Sequence, residues 1–219
     1  MVSLEDGDVL VLDLDGTLIA YNSFHSWLIF LLKRGASYGC ARLRWIVVKQ
    51  LVLRALRLIT HQQLKANIMA LWSSVKHSVP QKAEAAAKEF ATNLRKDFRM
   101  SLLKLLDEAH SKGVPCLLAT AAPSDYASML QIEGLFDVVL ASEIHNGLLV
   151  ENRYEQKAKA VALVCNSQGW DEGNIVFATD HADDISMCTM SKHVYWFGGA
   201  CNWQDLSRNN EGLCGEVCV

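Results

Sequence analysis

The run Val9-Leu10-Val11-Leu12 is apolar at every position, as expected of a strand covered on both faces rather than one with a wet side. Short runs of the same kind recur at 114–120, 137–141, 174–178 and 193–197. From Ser101 onward they alternate with stretches of helical spacing. Leu102, Leu103, Leu105 and Leu106 line one stripe of the segment 101–110, which Gly113 ends; 124–132 and 158–164 read the same way. Gly147-Leu148-Leu149-Val150 suits a small hairpin. Strand and helix in alternation predict an α/β fold, a three-layer doubly wound parallel sheet with helices on both faces.

No strand-like alternation occurs between Tyr21 and Phe90. Asn22-Ser23 suits the cap of a helix from Phe24 to Arg34, with Gly35 as its stop. Ser37 to about Leu58 predicts a second helix, apolar on more than one face and studded with arginine. Thr60-His61-Gln62-Gln63 has capping-box spacing and opens a third through Trp72. Pro80 suits the first turn of a fourth, Gln81 to about Arg95. The expected organisation is a core of residues 1–20 and 92–219, interrupted by an all-helical insertion, residues 21–91. The tail from Gly198 has no clear period and predicts no element. A chain of 219 residues suffices for one full core and a modest insertion, not for two large domains.

Three of the apolar runs end in residues that carry chemistry. Val9–Leu12 leads into Asp13-Leu14-Asp15-Gly16-Thr17-Leu18. On a regular strand Asp13 and Asp15 would point to one side, and Gly16 frees the backbone for a sharp turn. The run 114–120 ends in Thr120-Ala121-Ala122-Pro123, a hydroxyl and small residues ahead of a helix N-terminus, where an anion is favoured. The run 174–178 ends in Thr179-Asp180, with Asp183 and Asp184 just beyond. Open α/β sheets bind their ligands at such carboxyl ends of strands.

Asp-Leu-Asp-Gly-Thr-Leu, then Thr120, then a lysine at a helix head, then the loop from Asp180 to Asp184, resembles in order the four motifs of the haloacid dehalogenase-like (HAD) phosphohydrolases. The resemblance spans Val9 to about Phe197. A helical insertion directly after the first motif is similar to the cap of the phosphoserine phosphatase-like branch, which closes over the site and selects the substrate. The resemblance implies a Rossmann-like HAD core and a Mg²⁺-dependent phosphatase. Asp13 would attack phosphorus to form an aspartyl-phosphate; Asp15 would protonate the leaving oxygen and then activate water. Thr120, with backbone N–H groups at Ala121, would hold the phosphoryl oxygens. Mg²⁺ would bind Asp13, the backbone carbonyl of Asp15 and Asp180, with Asp184 orienting a bound water or the lysine.

Two lysines fit the third motif. Lys157 precedes Val161 and Val164 by four and seven residues, a sound buried stripe, and lies 23 residues before Asp180; Lys159 has Leu163 four residues on. The stripe favours Lys157. Asp183 reads as a bystander. Thr179 stands where the family usually has glycine, and its Cβ is expected to narrow the approach to the metal. The second carboxylate, Asp15, favours a phosphatase over the dehalogenases of the same family, which use neither that acid nor a metal. A non-catalytic binding module on the same fold is the alternative of another class, since fold does not fix function.

Charge changes this picture in one place. Between Asp15 and Glu84 there is no acidic residue, yet the interval holds ten basic ones: Lys33, Arg34, Arg42, Arg44, Lys49, Arg54, Arg57, Lys65, Lys76 and Lys82. The remainder carries eleven basic against twenty-four acidic residues, so the net charge of −3 conceals a strong asymmetry. Solvated helix faces ordinarily mix both signs. A basic lid drawing in a small phosphorylated substrate is one reading. A lid resting on an anionic membrane surface and admitting a lipid or prenyl phosphate is another, and the pattern is similar to that of HAD phosphatases acting on phosphatidylglycerophosphate. Steering of a soluble substrate needs fewer assumptions. Nothing suggests a nucleic-acid partner, and oligomeric state is not legible. Seven scattered cysteines and a start without a basic, apolar leader lead to the expectation of a reducing, cytoplasmic setting, with peripheral membrane association as the alternative. Cys201, Cys214 and Cys218 lack zinc-site spacing.

Overall fold

In the computed structural model, which describes residues 3–35, 41–210 and 212–218 and only the backbone of residues 41 and 42, Val9–Leu12 form β1 with every side chain buried. Four helices follow: α1 (Ser23–Arg34), α2 (Ala41–Ala55), α3 (His61–Ser78) and α4 (Pro80–Arg95). The chain then runs through α5 (Met100–Lys112), β2 (Cys116–Pro123), α6 (Ser124–Ala127), α7 (Met129–Ile132), β3 (Val138–His145) and β4 (Leu148–Val150). It ends with α8 (Glu155–Gln168), β5 (Ile175–Thr179), α9 (Ile185–Met190), β6 (His193–Trp196), α10 (Ala200–Asn209) and β7 (Gly215–Val217). The predicted second helix begins at Ser37, which lies outside the described residues.

The strands form one sheet in the order β4-β3-β2-β1-β5-β6-β7, parallel except for the β3–β4 hairpin. β1 is central, paired with β2 on one side and β5 on the other, so the direction of winding reverses at its carboxyl end. Alternate residues of β1 enter opposite layers. Leu10 and Leu12 pack with α1, α3, α4 and α5; Val9 and Val11 pack with Val161 and Cys165 of α8 and Met187 and Cys188 of α9. An apolar residue at every position is thus the signature of two covered faces.

Asn22 caps α1 by accepting from the His25 N–H, and the Thr60–Gln63 capping box opens α3. Trp27 joins α1 to the rest. Its ring meets Trp72 edge-on at 4.9 Å, Phe90 at 4.9 Å and Tyr126 of α6 at 5.4 Å. The Ser23 and Tyr126 hydroxyls share a buried 2.8 Å hydrogen bond. The helices after β1 therefore share one apolar cluster with the sheet.

Three stretches fold in ways that their sequence pattern leaves open or misses. The segment after Gly198 forms α10 and β7. Trp203 packs on Trp196 (5.7 Å between centroids), and the backbone of Gly215 to Val217 pairs with β6. The helix expected over 124–132 is broken into α6 and α7 at Ser128. β1 stops at Leu12; Asp13 keeps its hydrogen-bond register with β5, and Asp15 lies in the turn beyond rather than on regular strand.

Candidate active site

The carboxyl ends of β1, β2 and β5 open into a cavity of about 440 Å³ lined by Asp13, Asp15, Gly16, Thr120, Ala121, Lys157, Asp180 and Asp184, with further residues from α1 and α3. Each residue expected from the motifs is therefore brought to one place. Asp13 continues the register of β1, its N–H donating to the Ala178 carbonyl at 2.9 Å. Gly16 makes the turn at φ 80°, and a Cβ there would fall 2.0 Å from Asp180 Oδ2. Only glycine lets the first loop come so close to that carboxylate.

Lys157 sits in the first turn of α8 with its ammonium buried. It donates to Asp13 Oδ1 at 3.0 Å and to both oxygens of Asp184, at 2.7 and 2.8 Å. Lys159 points out to solvent and pairs with Glu155, so the stripe argument chose the lysine that faces the cavity. Thr179 has a further part: its buried hydroxyl donates to Asp184 Oδ2 at 2.7 Å and helps fix the carboxylate that holds Lys157. Asp183 also lines the cavity, tied to the Arg153 guanidinium. Thr120 is fully buried and its hydroxyl accepts from the Ala122 N–H at 3.0 Å. The carbonyl of Ala121 is occupied by Ser142 Oγ at 2.7 Å and Lys65 Nζ at 2.6 Å.

Burial governs the electrostatics. Desolvation raises the Asp13 carboxyl to about 7, against the lowering effect of Lys157. Desolvation likewise raises Asp15, opposed by hydrogen bonding from Ser23, whose N–H donates to Asp15 Oδ1 at 2.8 Å. Asp180 is raised by desolvation too. Burial disfavours the Lys157 charge, but Asp13 and Asp184 outweigh it and hold the ammonium above its ordinary value. The site is thus rich in carboxylate oxygen and short of positive charge. Among the described residues no three His, Cys, Asp or Glu side chains close around a common point.

The sequence pattern gave no site role to Arg99, Lys65, Gln62, Glu151 or Arg153. Arg99 clamps the first loop, donating to the carbonyls of Thr17 at 2.8 Å and Gly16 at 3.2 Å. Lys65 of α3, one of ten basic residues in its interval, is buried against Glu151 at 2.6 Å, and Gln62 reaches the same carboxylate at 3.2 Å. Arg153 lies on the strand-to-helix connection, beside Tyr154 at φ 55°. No periodicity marks any of them. Their partners lie 30 to 89 residues away in sequence.

The sequence profile of the haloacid dehalogenase-like hydrolases matches residues 10–189. No curated protein matches the chain. Among solved structures, a protein of unknown function from Bordetella pertussis Tohama I is similar with a TM-score of 0.70 at 16% identity, covering 94% of this chain and 96% of that one. A phospho-aspartyl intermediate analogue of phosphoserine phosphatase is similar with a TM-score of 0.53 at 13% identity, over 97% and 92% of the two chains. A probable phosphoserine phosphatase from Vibrio cholerae gives 0.57 at 13% identity, over 92% of this chain and 60% of that longer one.

Proposed function

Since the chain belongs to the haloacid dehalogenase-like hydrolase family, we propose that it is a phosphatase that hydrolyses a phosphomonoester through an aspartyl-phosphate on Asp13. The observation that carries this reading is the buried Lys157 ammonium, 3.0 Å from Asp13 and 2.7 Å from Asp184, at the carboxyl ends of β1 and β5. In the first half-reaction an Asp13 oxygen forms the bond to phosphorus as the bond to the leaving oxygen breaks. Asp15, whose carboxyl is pushed above its ordinary value by burial, passes its proton to that oxygen. In the second, Asp15 takes a proton from water as the water oxygen attacks phosphorus and frees Asp13. Thr120 and the N–H groups beyond it hold the phosphoryl oxygens, and Lys157 balances charge on the nucleophile and the transferred group.

The donor set fits a hard divalent cation. Asp13 and Asp180 offer carboxylates, and Gly16 keeps the first loop against Asp180. With no side-chain cage, the shell would be completed by the Asp15 carbonyl, water and substrate oxygen, as Mg²⁺ favours. Bound there, Mg²⁺ would supply charge neutralisation for the phosphoryl group. Residues 21–91 act as the cap, and Lys65, Phe24 and His61 lend it a wall of the cavity. A small phosphorylated compound suits that volume.

The test is turnover of an aryl phosphate with Mg²⁺ by the wild type and by Asp13→Asn. Loss on the order of 10³-fold or more with the fold retained is expected for removal of a nucleophile, together with capture of beryllofluoride by the wild type only. Undiminished turnover in Asp13→Asn would overturn the mechanism. No turnover by the wild type, with phosphate still bound, would favour a binding module.

A further inference from the structure

Helix α2 carries two apolar stripes. Leu43 and Val47 face inward and are buried against the neighbouring helices. Trp45, Val48, Val52 and Leu56 recur at intervals of three, four and four, which sets them on the opposite side. All four are exposed, Trp45 by 77% and Leu56 by 64%. One stripe is enough to hold a helix to a core. Among the described residues, Trp45, Val48, Val52 and Leu56 belong to neither buried cluster.

The charge beside this stripe has one sign. Lys49 lies within it, four residues after Trp45 and three before Val52, and exposed Arg44 flanks it four residues before Val48; Arg54, seven residues after buried Val47, falls on the inward side. Arg57 follows, held at φ 58° where glycine is the usual residue. From Gly16 to Ala83 the chain has no acid to neutralise them. Arg42 belongs to the same run, but its side chain lies outside the described residues. Of the nine basic residues between Asp15 and Glu84 whose side chains are described, Lys65 lines the cavity.

We infer that the outward face of α2 docks on an anionic lipid surface, with Trp45, Val52 and Leu56 entering the boundary between headgroups and acyl chains and Lys49 and Arg44 meeting lipid phosphates. Apolar and basic residues interleaved on one helix, without acids, are complementary to such a surface. A second copy of the chain would oppose like charges, and a nucleic acid would leave the aliphatic stripe without a partner. The helix lies on the bilayer and does not cross it: among the described residues no helix is long and apolar enough to span. Leu58, also exposed, stands three residues before His61 on the cavity wall, so docking brings the cavity rim to the lipid surface. The inference needs only binding and is independent of the phosphatase reading.

The test is co-sedimentation of the full chain with phosphatidylcholine vesicles, plain or carrying about one-third phosphatidylglycerol. Binding to the anionic vesicles at low salt, weakened at moderate salt, is expected. Brominated acyl chains should quench the emission lost in Trp45→Phe. Lys49→Glu with Arg44→Glu should weaken binding about tenfold or more, and Val52→Ser with Leu56→Ser should abolish quenching while leaving turnover of a soluble aryl phosphate intact. No binding at low salt, equal binding to plain vesicles, or binding indifferent to both double variants would each overturn the inference. So would dimerisation abolished by Val52→Ser with Leu56→Ser in a chain that ignores vesicles, which would assign the face to a second copy.

Discussion

Lys157 and Lys49 carry the same charge in opposite surroundings. Lys157 is 3% exposed and meets two carboxylates at 3.0 Å or less; Lys49 projects from α2 into water in a segment without acids. In the first setting low polarity makes each contact strong and each loss costly. In the second, water and salt screen the charge, and only several acting on one extended surface have an effect. Single substitutions of a charged residue should therefore be severe at the strand ends and nearly silent on the exposed face of α2.

The sharpest break between the regions is expected at Lys157. Lys157→Ala leaves Asp13 and Asp184 facing each other without a cation, and turnover of an aryl phosphate should fall on the order of 10²- to 10³-fold. Lys159→Ala, two residues along and paired only with exposed Glu155, should change turnover by less than about twofold. A reversed outcome would move the site to Lys159 and leave the family assignment standing.

Next in size is the contrast within the loop of the last motif. Asp184 takes hydrogen bonds from Lys157 and Thr179 in the interior. Asp183 holds Arg153 at the rim. Asp184→Ala should cost about 10²-fold in turnover by releasing the lysine, and Asp183→Ala about tenfold or less, mainly in KM. Equal losses in kcat from both would place Arg153 among the groups that act on the reacting phosphoryl.

What could be read beforehand follows the same division. The strands β1 and β5 announce themselves because burial on both faces demands apolar residues throughout. Asp13, Thr120 and Asp180 are legible because each follows such a run, and Lys157 because Val161 and Val164 fix which way α8 turns. Contacts made across long sequence separations leave no such trace. Arg99 binds backbone carbonyls 82 and 83 residues earlier, and any residue type can supply a carbonyl. Gly215–Val217 is too short to show alternation, and its pairing to β6 uses backbone alone. The outward stripe of α2 was visible only as a helix apolar on more than one face; which face is covered is decided by α1 and α3.

A smaller effect concerns stability. With its carboxyl raised to about 7 by burial, the folded protein binds a proton at Asp13 that the unfolded chain, titrating near the ordinary carboxylate value, has released. The stabilisation is complete below about pH 4 and is lost as pH rises through about 7. Asp13→Asn cannot ionise and keeps it. In metal-free protein the variant should match the wild type near pH 4 and be more stable at pH 8, by roughly 1–3 kcal/mol. Thermal melts at the two pH values in chelator, with no gain at pH 8, would show that Lys157 already compensates Asp13 in full.

The smallest effect is expected on α2 itself, where two valines five residues apart separate the stripes. Val47 is fully buried and Val52 is half exposed. Val47→Ala removes two methyl groups from packed surroundings and leaves a void, at about 1–3 kcal/mol. Val52→Ala removes the same atoms from water, and the higher helix propensity of alanine offsets what little contact is lost, so its effect should stay within about 0.5 kcal/mol. Urea titrations of the two variants, with the midpoint read at unchanged slope, measure the difference directly. A loss at Val52 as large as that at Val47 would mean that the outward stripe is already covered in solution by another copy of the chain, since residues exposed in the monomer gain nothing from burial they do not have. A loss confined to Val47 leaves the outward face free for a lipid surface, at no cost to the fold.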